Sequence, residues 1–377
     1  MGMSDATPKK LQQHRRHLHQ IPELDFDLPQ TIQYVRQHLE SLGAEILEPA
    51  PSTVCAYFPA GAEQTIAFRA DMDALPLTEQ SDEPYASKHP GRMHACGHDA
   101  HMAMMLGFCD VVSQLAAAGE LPYNVLAIFQ PAEETTGGAR GIVESGIFAD
   151  LNVAAVFGIH MWPGFAAGQL ISRPGPLMAR TSEVKITVTG RSVHVAKSEQ
   201  GTDATYAAAT LLTRIYQMAE AMPADPQFLL KFGLLQSGTV CNIISGSALL
   251  EGTLRSFDDA VYQHLVSELQ RIASEAAEQF GCKIDMDIDD GYPPVLNDPA
   301  LLDAVITQTG LDVVELEQPP LTGEDFSFYQ QAAPGVFFFL GTGRDEALHT
   351  ADFDLDESAL TAGVDLYRQL LTLTLPK

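Results

Sequence analysis

The sequence predicts an α/β protein in which a larger domain with a mostly parallel sheet carries an inserted, smaller α+β domain. In the first half of the chain, short apolar runs alternate with helical stretches, which is the pattern of a parallel sheet. Between residues 180 and 289 the predicted order is strand, helix, strand, strand, helix, strand, as in ferredoxin-like modules. The chain has 377 residues, more than single hydrophobic cores usually hold, and this also favours two domains.

The first half of the chain begins with helix and continues with the predicted strands. Residues 8–42 are predicted to be helical, with Pro22 marking a break and Gly43 an end. A further helix is predicted over residues 102–117. The strands in this half are predicted from short apolar runs at 54–58, 65–69, 124–130 and 154–159.

The inserted domain is predicted from a change of pattern after Pro174 and Pro176. Its predicted strands cover 184–189, 228–235, 248–255 and 283–288, and its predicted helices cover 203–218 and 259–280. Beyond it the chain returns to helix and buried strand, including residues 336–340. We therefore predict a larger domain in two segments (1–179 and 290–377), interrupted by an inserted domain (180–289).

Composition excludes several classes of partner. The chain has 22 basic and 49 acidic residues and a formal net charge of −27, which repels nucleic acid and anionic lipid surfaces. Its five cysteines are odd in number and scattered, unlike a secreted disulfide framework. No signal peptide and no run of eighteen apolar residues is found. We expect a cytoplasmic protein that binds neither nucleic acid nor membrane.

A dense group of metal-binding residue types follows the second predicted strand. Residues 93–101 contain one cysteine, three histidines and an aspartate, and Glu133 and Glu134 follow the strand at 124–130. Taken singly, each histidine could be a core or surface residue, and Cys96 a small buried hydrophobe. Thiolate, imidazole and carboxylate together are the ligands of zinc-like ions, and Cys96-x-His98 on a loop could aim both side chains at one centre.

These side chains also share one edge of the predicted sheet. Asp71 follows one predicted strand, the Glu133–Glu134 pair follows another, and His160 follows a third. Ligands of open α/β sheets gather at the carboxyl ends of the strands. The sequence therefore predicts a metal hydrolase site at this edge.

Several motifs in one order resemble a known family, the metal-dependent amidohydrolases and metallopeptidases that include hippurate hydrolase, auxin-conjugate hydrolases and N-acetyldiaminopimelate deacetylase. The resemblance spans nearly the whole chain. It rests on the segments 17–23, 69–76, 94–101, 130–134, 158–160, 322–326 and 348–349.

The resemblance implies a site for two divalent metal ions in each subunit, which could be zinc, manganese, cobalt or nickel. The ligands that it implies are Cys96, His98, Glu134, His160 and His349. Cys96 would bridge the ions, with His98 and His160 on one ion and Glu134 and His349 on the other. Glu133 would be the general base, and Asp71 would orient a metal ligand, a role that Asp99 could share.

In the inserted domain the resemblance implies three substrate-binding residues. His194 matches a histidine that approaches the substrate carbonyl, often across a dimer interface, although Ser192 and Val193 stand where the family has two glycines. Asn242 and Arg255 match residues that hold the substrate carboxylate. The family also implies that residues 1–179 and 290–377 form the catalytic domain, and that the inserted domain (180–289) is a lid and dimerisation domain through which a homodimer forms.

The expected function is hydrolysis of the amide bond of N-acyl-L-amino acids, small-molecule substrates, with Glu133 as general base. One alternative within the class is an N-acetyldiaminopimelate deacetylase of lysine biosynthesis. Residues 181–183 favour it, and residues 197–200 depart from that subgroup. An alternative of another class is a metal-bearing binding protein without catalytic activity.

Overall fold

Two sheets, one of eight strands and one of four, organise the residues that the computed structural model describes, which are 8–223 and 227–376. The helices are α1 (Pro8–His19), α2 (Pro29–Ser41), α3 (His98–Ala118), α4 (Gly138–Glu144), α5 (Ile147–Asp150), α6 (Ala204–Ala221), α7 (Asp259–Phe280), α8 (Pro299–Thr309), α9 (Ser327–Ala332) and α10 (Ala359–Leu370).

The strands are numbered in the same way along the chain. They are β1 (Glu45–Leu47), β2 (Val54–Phe58), β3 (Thr65–Asp71), β4 (Asn124–Gln130), β5 (Val153–Trp162), β6 (Leu170–Ser172), β7 (Gly175–Met178), β8 (Arg180–Thr189), β9 (Val193–His194), β10 (Phe228–Ser237), β11 (Ile243–Ile244), β12 (Ser247–Ser256), β13 (Lys283–Ile288), β14 (Val295–Asn297), β15 (Val313–Glu315) and β16 (Gly335–Gly341).

The chain divides into two compact units. The first unit contains the residues up to Leu177, Val295–Gln318 and the residues from Asp325 onward, and the second contains Met178–Pro294 and Pro319–Glu324. The role of residues 180–289 as a lid and dimerisation domain stays a prediction.

The first unit is built on the eight-stranded sheet, in the order β1-β2-β4-β3-β5-β16-β6-β15. Its central strands β4, β3, β5 and β16 run parallel, as do β6 and β15, while the remaining neighbours are antiparallel. Every residue of β3, β4 and β16 is buried, which is expected where both faces of a sheet are covered. The predicted largely parallel α/β sheet is confirmed.

Helix α3 lies in the core of this unit. The aromatic rings of Phe68, Phe108 and Tyr367 pack together there, with the centroids of Phe68 and Phe108 4.6 Å apart. By length and composition, α3 could cross a membrane, but 72% of its most apolar window is buried inside the protein. That burial is the pattern of a core helix, which passes the same test.

Two predicted boundaries in this unit were wrong near polar residues. Helix α3 begins at His98 instead of residue 102, because its first turn carries polar side chains that face inward and break the apolar pattern. Strand β5 continues through His160 to Trp162, so His160 lies within the strand and not after it. The predicted break at Pro22 is confirmed, because residues 8–42 form two separate helices, α1 and α2, on either side of it.

The second unit contains the four-stranded antiparallel sheet in the order β10-β12-β8-β13. Strand β8 alternates buried and exposed residues, and its buried Ile186 joins Leu211 of α6 and Leu265 of α7 in one apolar core. The predicted α+β module is confirmed. Two short features of this unit were not predicted. One is the β9–β11 pair, and the other is a 3-10 helix (Val195–Gln200) that lies between β9 and α6.

Candidate metal centre

The start of α3 brings Cys96 and His98 into the interior of the first unit. Between them lies Gly97, whose φ of +83° is in the left-handed region that favours glycine. A Cβ on Gly97 would lie 3.1 Å from the side chain of Met161 on β5. The tight turn therefore requires glycine at this position. The Cys96 thiol lies just before the turn, and the His98 imidazole lies on the first residue of the helix.

The ends of β3 and β4 supply carboxylates to the same region. Strand β3 ends at Asp71, and β4 is followed by a turn in which Ala132 has a φ of +57° before Glu133 and Glu134. The carboxylate of Asp73 accepts hydrogen bonds from the backbone N–H groups of Glu133, at 3.0 Å, and Glu134, at 3.1 Å. The orientation of both glutamates thus depends on a residue just beyond β3.

Asp73 also fixes a histidine. Its carbonyl oxygen lies 2.7 Å from Nδ1 of His98, so the ring donates its proton there and presents Nε2 to the interior. We did not predict a role for Asp73 from the sequence. The available signal was its position in Asp71-Met72-Asp73, directly after a buried strand.

The five predicted ligands meet in the first unit around the sulfur of Cys96. Its Sγ is 3.3 Å from Nε2 of His160 and 3.2 Å from Nε2 of His349. Nε2 of His349 is 3.3 Å from Oε1 of Glu134, which is 3.8 Å from Nε2 of His98. Two ligands of a tetrahedral zinc-like ion are roughly 3.4–3.6 Å apart, given bonds of about 2.0–2.3 Å. The separations therefore fit shared ions.

These ligands form two groups that share the thiol. Cys96, His98 and His160 offer ligand atoms within 4.8 Å of one another, and so do Cys96, Glu134 and His349. Nε2 of His98 is buried and makes no hydrogen bond to the described residues, although Glu134 and Asp71 oxygens face it at 3.8 and 3.6 Å. An imidazole nitrogen held in this way between carboxylates suits a bound cation.

The electrostatics of these residues also favour a cation. Burial raises the pKa of the Cys96 thiol well above its usual range, and the charges of Glu134 and Glu133 raise it further. A divalent cation bound at the sulfur would reverse this effect, because it would stabilise the thiolate. Burial lowers the pKa of His98, but Asp71, Asp73 and Glu134 outweigh burial and raise it to about 10. The carboxylates that would hold a proton on His98 would equally hold a metal ion beside it.

His349 closes the cluster from a distant part of the chain. Its φ of +62° is unusual for a residue other than glycine, and its backbone N–H donates to the carbonyl of Ala95 at 2.9 Å. Half of its side chain is exposed, whereas Cys96, His98 and His160 are buried. Of the five predicted ligands, His349 is therefore the most open to solvent.

Asp71 contacts the cluster mainly through another histidine. Its carboxylate lies 2.6 Å from Nδ1 of His101 and accepts a hydrogen bond from Arg69 at 2.6 Å. Nε2 of His101 accepts a hydrogen bond from the backbone N–H of Met161, the residue after His160, with an N–N distance of 2.8 Å. Asp71 and His101 thus fix the backbone beside a predicted ligand. The predicted role of Asp71 in orienting a ligand stays a prediction.

The predicted substrate-binding residues lie in the second unit. His194 on β9 is exposed and pairs with Ile243 of β11, and the N–H of Val195 donates to the carbonyl of Asn242 at 3.0 Å. Ser192 and Val193 do not have the positive φ that glycines would permit. Arg255 on β12 is half-buried. Burial lowers its pKa, and the carboxylates of Glu183 and Asp289 act in the opposite direction.

Comparisons with known proteins agree on the family and on the fold. The model of "Peptidase family M20/M25/M40" matches residues 67–373. An uncharacterized hydrolase from Staphylococcus haemolyticus is 36% identical over 368 residues, which are 95% of this chain and 96% of that protein. An uncharacterized hydrolase from Staphylococcus epidermidis is 38% identical, with the same coverage.

Solved structures resemble the whole chain. The YXEP protein of Bacillus subtilis, a dinuclear metal binding peptidase from the M20 family, is 34% identical with a TM-score of 0.84, over 97% of each chain. The aminobenzoyl-glutamate utilization protein of Klebsiella pneumoniae shares the fold, at 22% identity and a TM-score of 0.70, over 96% of this chain and 95% of that one. With the two ligand groups above, the first likeness indicates two metal ions.

Proposed function

The chain belongs to peptidase family M20/M25/M40 and is a hydrolase, and we propose that it cleaves the amide bond of N-acyl-L-amino acids. The observation that carries this proposal is the pair of ligand groups sharing Cys96, with the buried Glu133 directly beside them. Such a centre suits hydrolysis, because two divalent ions bound there would polarise the scissile carbonyl and activate water. The ions would be held by Cys96, His98, Glu134, His160 and His349.

Glu133 is proposed as the general base. It can offer a carboxylate oxygen within 4.8 Å of ligand atoms of His98 and Glu134, and Asp73 holds its backbone N–H. In the reaction, water adds to the amide carbon and the C–N bond breaks. Glu133 would take a proton from the attacking water and deliver it to the nitrogen of the leaving amine. A positioned acid–base group of this kind typically contributes about 10²–10⁴-fold.

Substrate recognition is proposed for three residues of the second unit. Exposed His194 would donate to the substrate carbonyl oxygen, and Asn242 and Arg255 would bind the carboxylate of the amino-acid part. An Arg255→Ala variant should then raise KM for an N-acyl amino acid while leaving kcat within a few-fold. An unchanged KM would remove Arg255 from this role.

The decisive experiment compares wild type with Glu133→Gln. Free amine would be measured from N-acetyl, N-benzoyl and N-succinyl amino acids, including N-acetyldiaminopimelate, with zinc, manganese, cobalt or nickel and with a chelator. We expect chelator-sensitive cleavage by wild type. In Glu133→Gln we expect a loss of about 10²-fold or more with the same metal content.

The outcomes separate the candidate functions. Cleavage confined to the diaminopimelate derivative would identify a lysine-pathway deacetylase, whereas cleavage of many derivatives would identify a general aminoacylase. A wild type that binds metal but cleaves no derivative would overturn the enzyme proposal and support a binding protein.

A further inference from the structure

A second cluster of metal-binding residue types lies where α1, α2 and α3 meet. His14 of α1, His38 of α2 and Asp110 of α3 each offer a ligand atom, and these atoms all lie within 4.8 Å of one another. Nε2 of His38 is 3.0 Å from Oδ1 of Asp110, and the rings of His14 and His38 meet edge to face with centroids 4.8 Å apart. None of the three is among the ligands assigned to the dinuclear centre.

The side chain of His14 is prepared for a ligand. His14 is only 6% exposed, and its Nδ1 is held by the hydroxyl of Tyr34 at 2.8 Å. The other ring nitrogen, Nε2, is buried and has no hydrogen-bond partner among the described residues. A buried polar atom without a partner is costly, and a histidine whose second nitrogen is fixed by a hydrogen bond is the usual form of a metal ligand.

The charges of the cluster suit a cation as well. Burial lowers the pKa of His14 to about 4, so at neutral pH its imidazole is uncharged and can bind a metal. Burial raises the pKa of Asp110, but hydrogen bonds with His38 and Lys10 outweigh it and keep that pKa below its usual value. Asp110 therefore remains an anion although it is 4% exposed.

We propose that His14, His38 and Asp110 bind a divalent transition-metal ion of the zinc class, at a site separate from the dinuclear centre. Two imidazoles and one carboxylate are a known three-residue ligand set for zinc. Asp110 follows His98 by twelve positions on α3, so the two residues are separated by about 18 Å along the helix. An ion at this site would tie α1 and α2 to the core helix.

Lys10 lies against the carboxylate of Asp110 and provides a second way to test the proposal. Its Nζ contacts Oδ2 of Asp110 at 2.6 Å, and its side chain is 36% exposed. A lysine ammonium at that carboxylate competes with a metal ion for the same negative charge. Removing Lys10 should therefore strengthen metal binding, whereas removing His14 should weaken it.

The test uses the holoprotein with zinc as the probe. Bound zinc would be counted by equilibrium dialysis and elemental analysis for wild type, His14→Gln, Lys10→Met and the control His17→Gln, which changes a neighbouring histidine of the same helix. We expect His14→Gln to bind one ion fewer than wild type and to keep its hydrolase activity. His17→Gln should bind the wild-type number, and Lys10→Met should bind the additional ion at least about threefold more tightly.

The difference between variants is the readout, so it does not depend on how many ions the dinuclear centre takes. Zinc should also raise the thermal midpoint of wild type more than that of His14→Gln. Equal zinc content in wild type and His14→Gln would overturn the proposal. Unchanged or weaker zinc binding by Lys10→Met would overturn it too. This second measurement still tests the proposal if the His14 variant does not fold.

Discussion

At the scale of single residues, the predicted centre depends on side chains that are not ligands. Asp73 holds the backbone of both glutamates through its carboxylate and the ring of His98 through its carbonyl. His101 holds the backbone next to His160. These residues act by setting the positions of the ligands and of Glu133. Mutation of residues of this kind typically lowers metal affinity or activity by about 10 to 100-fold.

Replacing Asp73 by Asn should lower hydrolase activity or metal affinity by about 10 to 100-fold. The amide group would place an NH₂ against one of the two backbone N–H groups that the carboxylate now accepts. Steady-state kinetics and metal content measure the effect. Asp298→Asn is the matched control, because Asp298 caps α8 by accepting from Leu301 and asparagine is an equally good N-cap. Equal behaviour of the two variants would contradict the role of Asp73.

A buried histidine of α1 should make stability depend on pH. Burial lowers the pKa of His19, but contacts with Asp99, at 2.8 Å, and Glu79, at 3.2 Å, outweigh burial and raise it to about 9. A raised folded pKa stabilises the protein below the unfolded value of about 6.5, and this contribution is lost as pH rises through 9. It amounts to about 3 kcal/mol at most.

We therefore expect the difference in unfolding free energy between wild type and His19→Gln to shrink between pH 6.5 and 9. Urea unfolding at several pH values measures it, and effects of pH on the metal centre cancel in the difference. His17→Gln is the control, because burial lowers the pKa of His17 and the sign is then reversed. A difference that stays constant over this range would contradict the prediction.

The sequence could predict which residues collect at the centre, but not what supports them. Cys96, His98 and the glutamates form a recognisable pattern of residue types, the predicted strand end placed His160 beside them, and the family resemblance added His349. Asp73 acts on two backbone N–H groups and on the ring of His98, so no residue pattern reveals its partners, and its position directly after a buried strand is the signal that the sequence offers. The role of Asp99 in orienting a ligand stays a prediction, and the contacts that the structure gives its carboxylate are a hydrogen bond from Arg15 and His19 at 2.8 Å.

At the scale of elements, the two ends of α3 show how one helix serves both the core and the centre. It begins beside Gly97 at φ +83° and ends before Gly119 at φ +69°. Both glycines cap the helix in the left-handed region. Only Gly97 is enclosed, because nothing lies within 4 Å of a Cβ built on Gly119.

This contrast predicts different effects for the same substitution. Gly97→Ala and Gly119→Ala should each cost about 1–2 kcal/mol of stability, because alanine resists positive φ. Only Gly97→Ala should also reduce metal affinity, since its Cβ would press on Met161 and move Cys96 or His98. Thermal unfolding and zinc titration of the two variants measure this. Equal zinc affinity in both would show that the turn at Gly97 does not position the centre.

Element boundaries were predictable where burial alone decides the pattern. The bounds of β2, β4, α7 and β13 agree with the predicted ones. Prediction failed where function places polar groups inside an element, as at the start of α3 and at His160 within β5. In both places the side chain faces inward in spite of its polarity, which an apolar-period argument cannot anticipate.

At the scale of the whole molecule, the second unit has an open edge. Strand β10 lies at the end of the four-stranded sheet and pairs, within the described part of the chain, with β12 alone. Leu235, Val240 and Ile243 are exposed apolar side chains of this unit, at 47%, 53% and 44%. An open edge of this kind is a template for pairing with another chain.

We expect a homodimer that uses this edge, as the family resemblance implies. Leu235→Lys should weaken or abolish the dimer, because a lysine would be desolvated at the interface. Ile306→Lys is the control, since Ile306 is an exposed apolar residue (39%) of the first unit. Gel filtration with light scattering gives the masses. A monomeric wild type, or a Leu235→Lys dimer as stable as wild type, would contradict this prediction.

The separation of the ligands along the chain also sets an order of events during translation. Cys96, His98 and His160 are all made before half of the chain has been synthesised, whereas His349 lies 253 positions after Cys96. Strand β16, which pairs with β5 beside His160, is also made late. On the ribosome, the group of Cys96, His98 and His160 can form long before the group that needs His349. A chain that stops early would therefore retain one ligand group and lack the other.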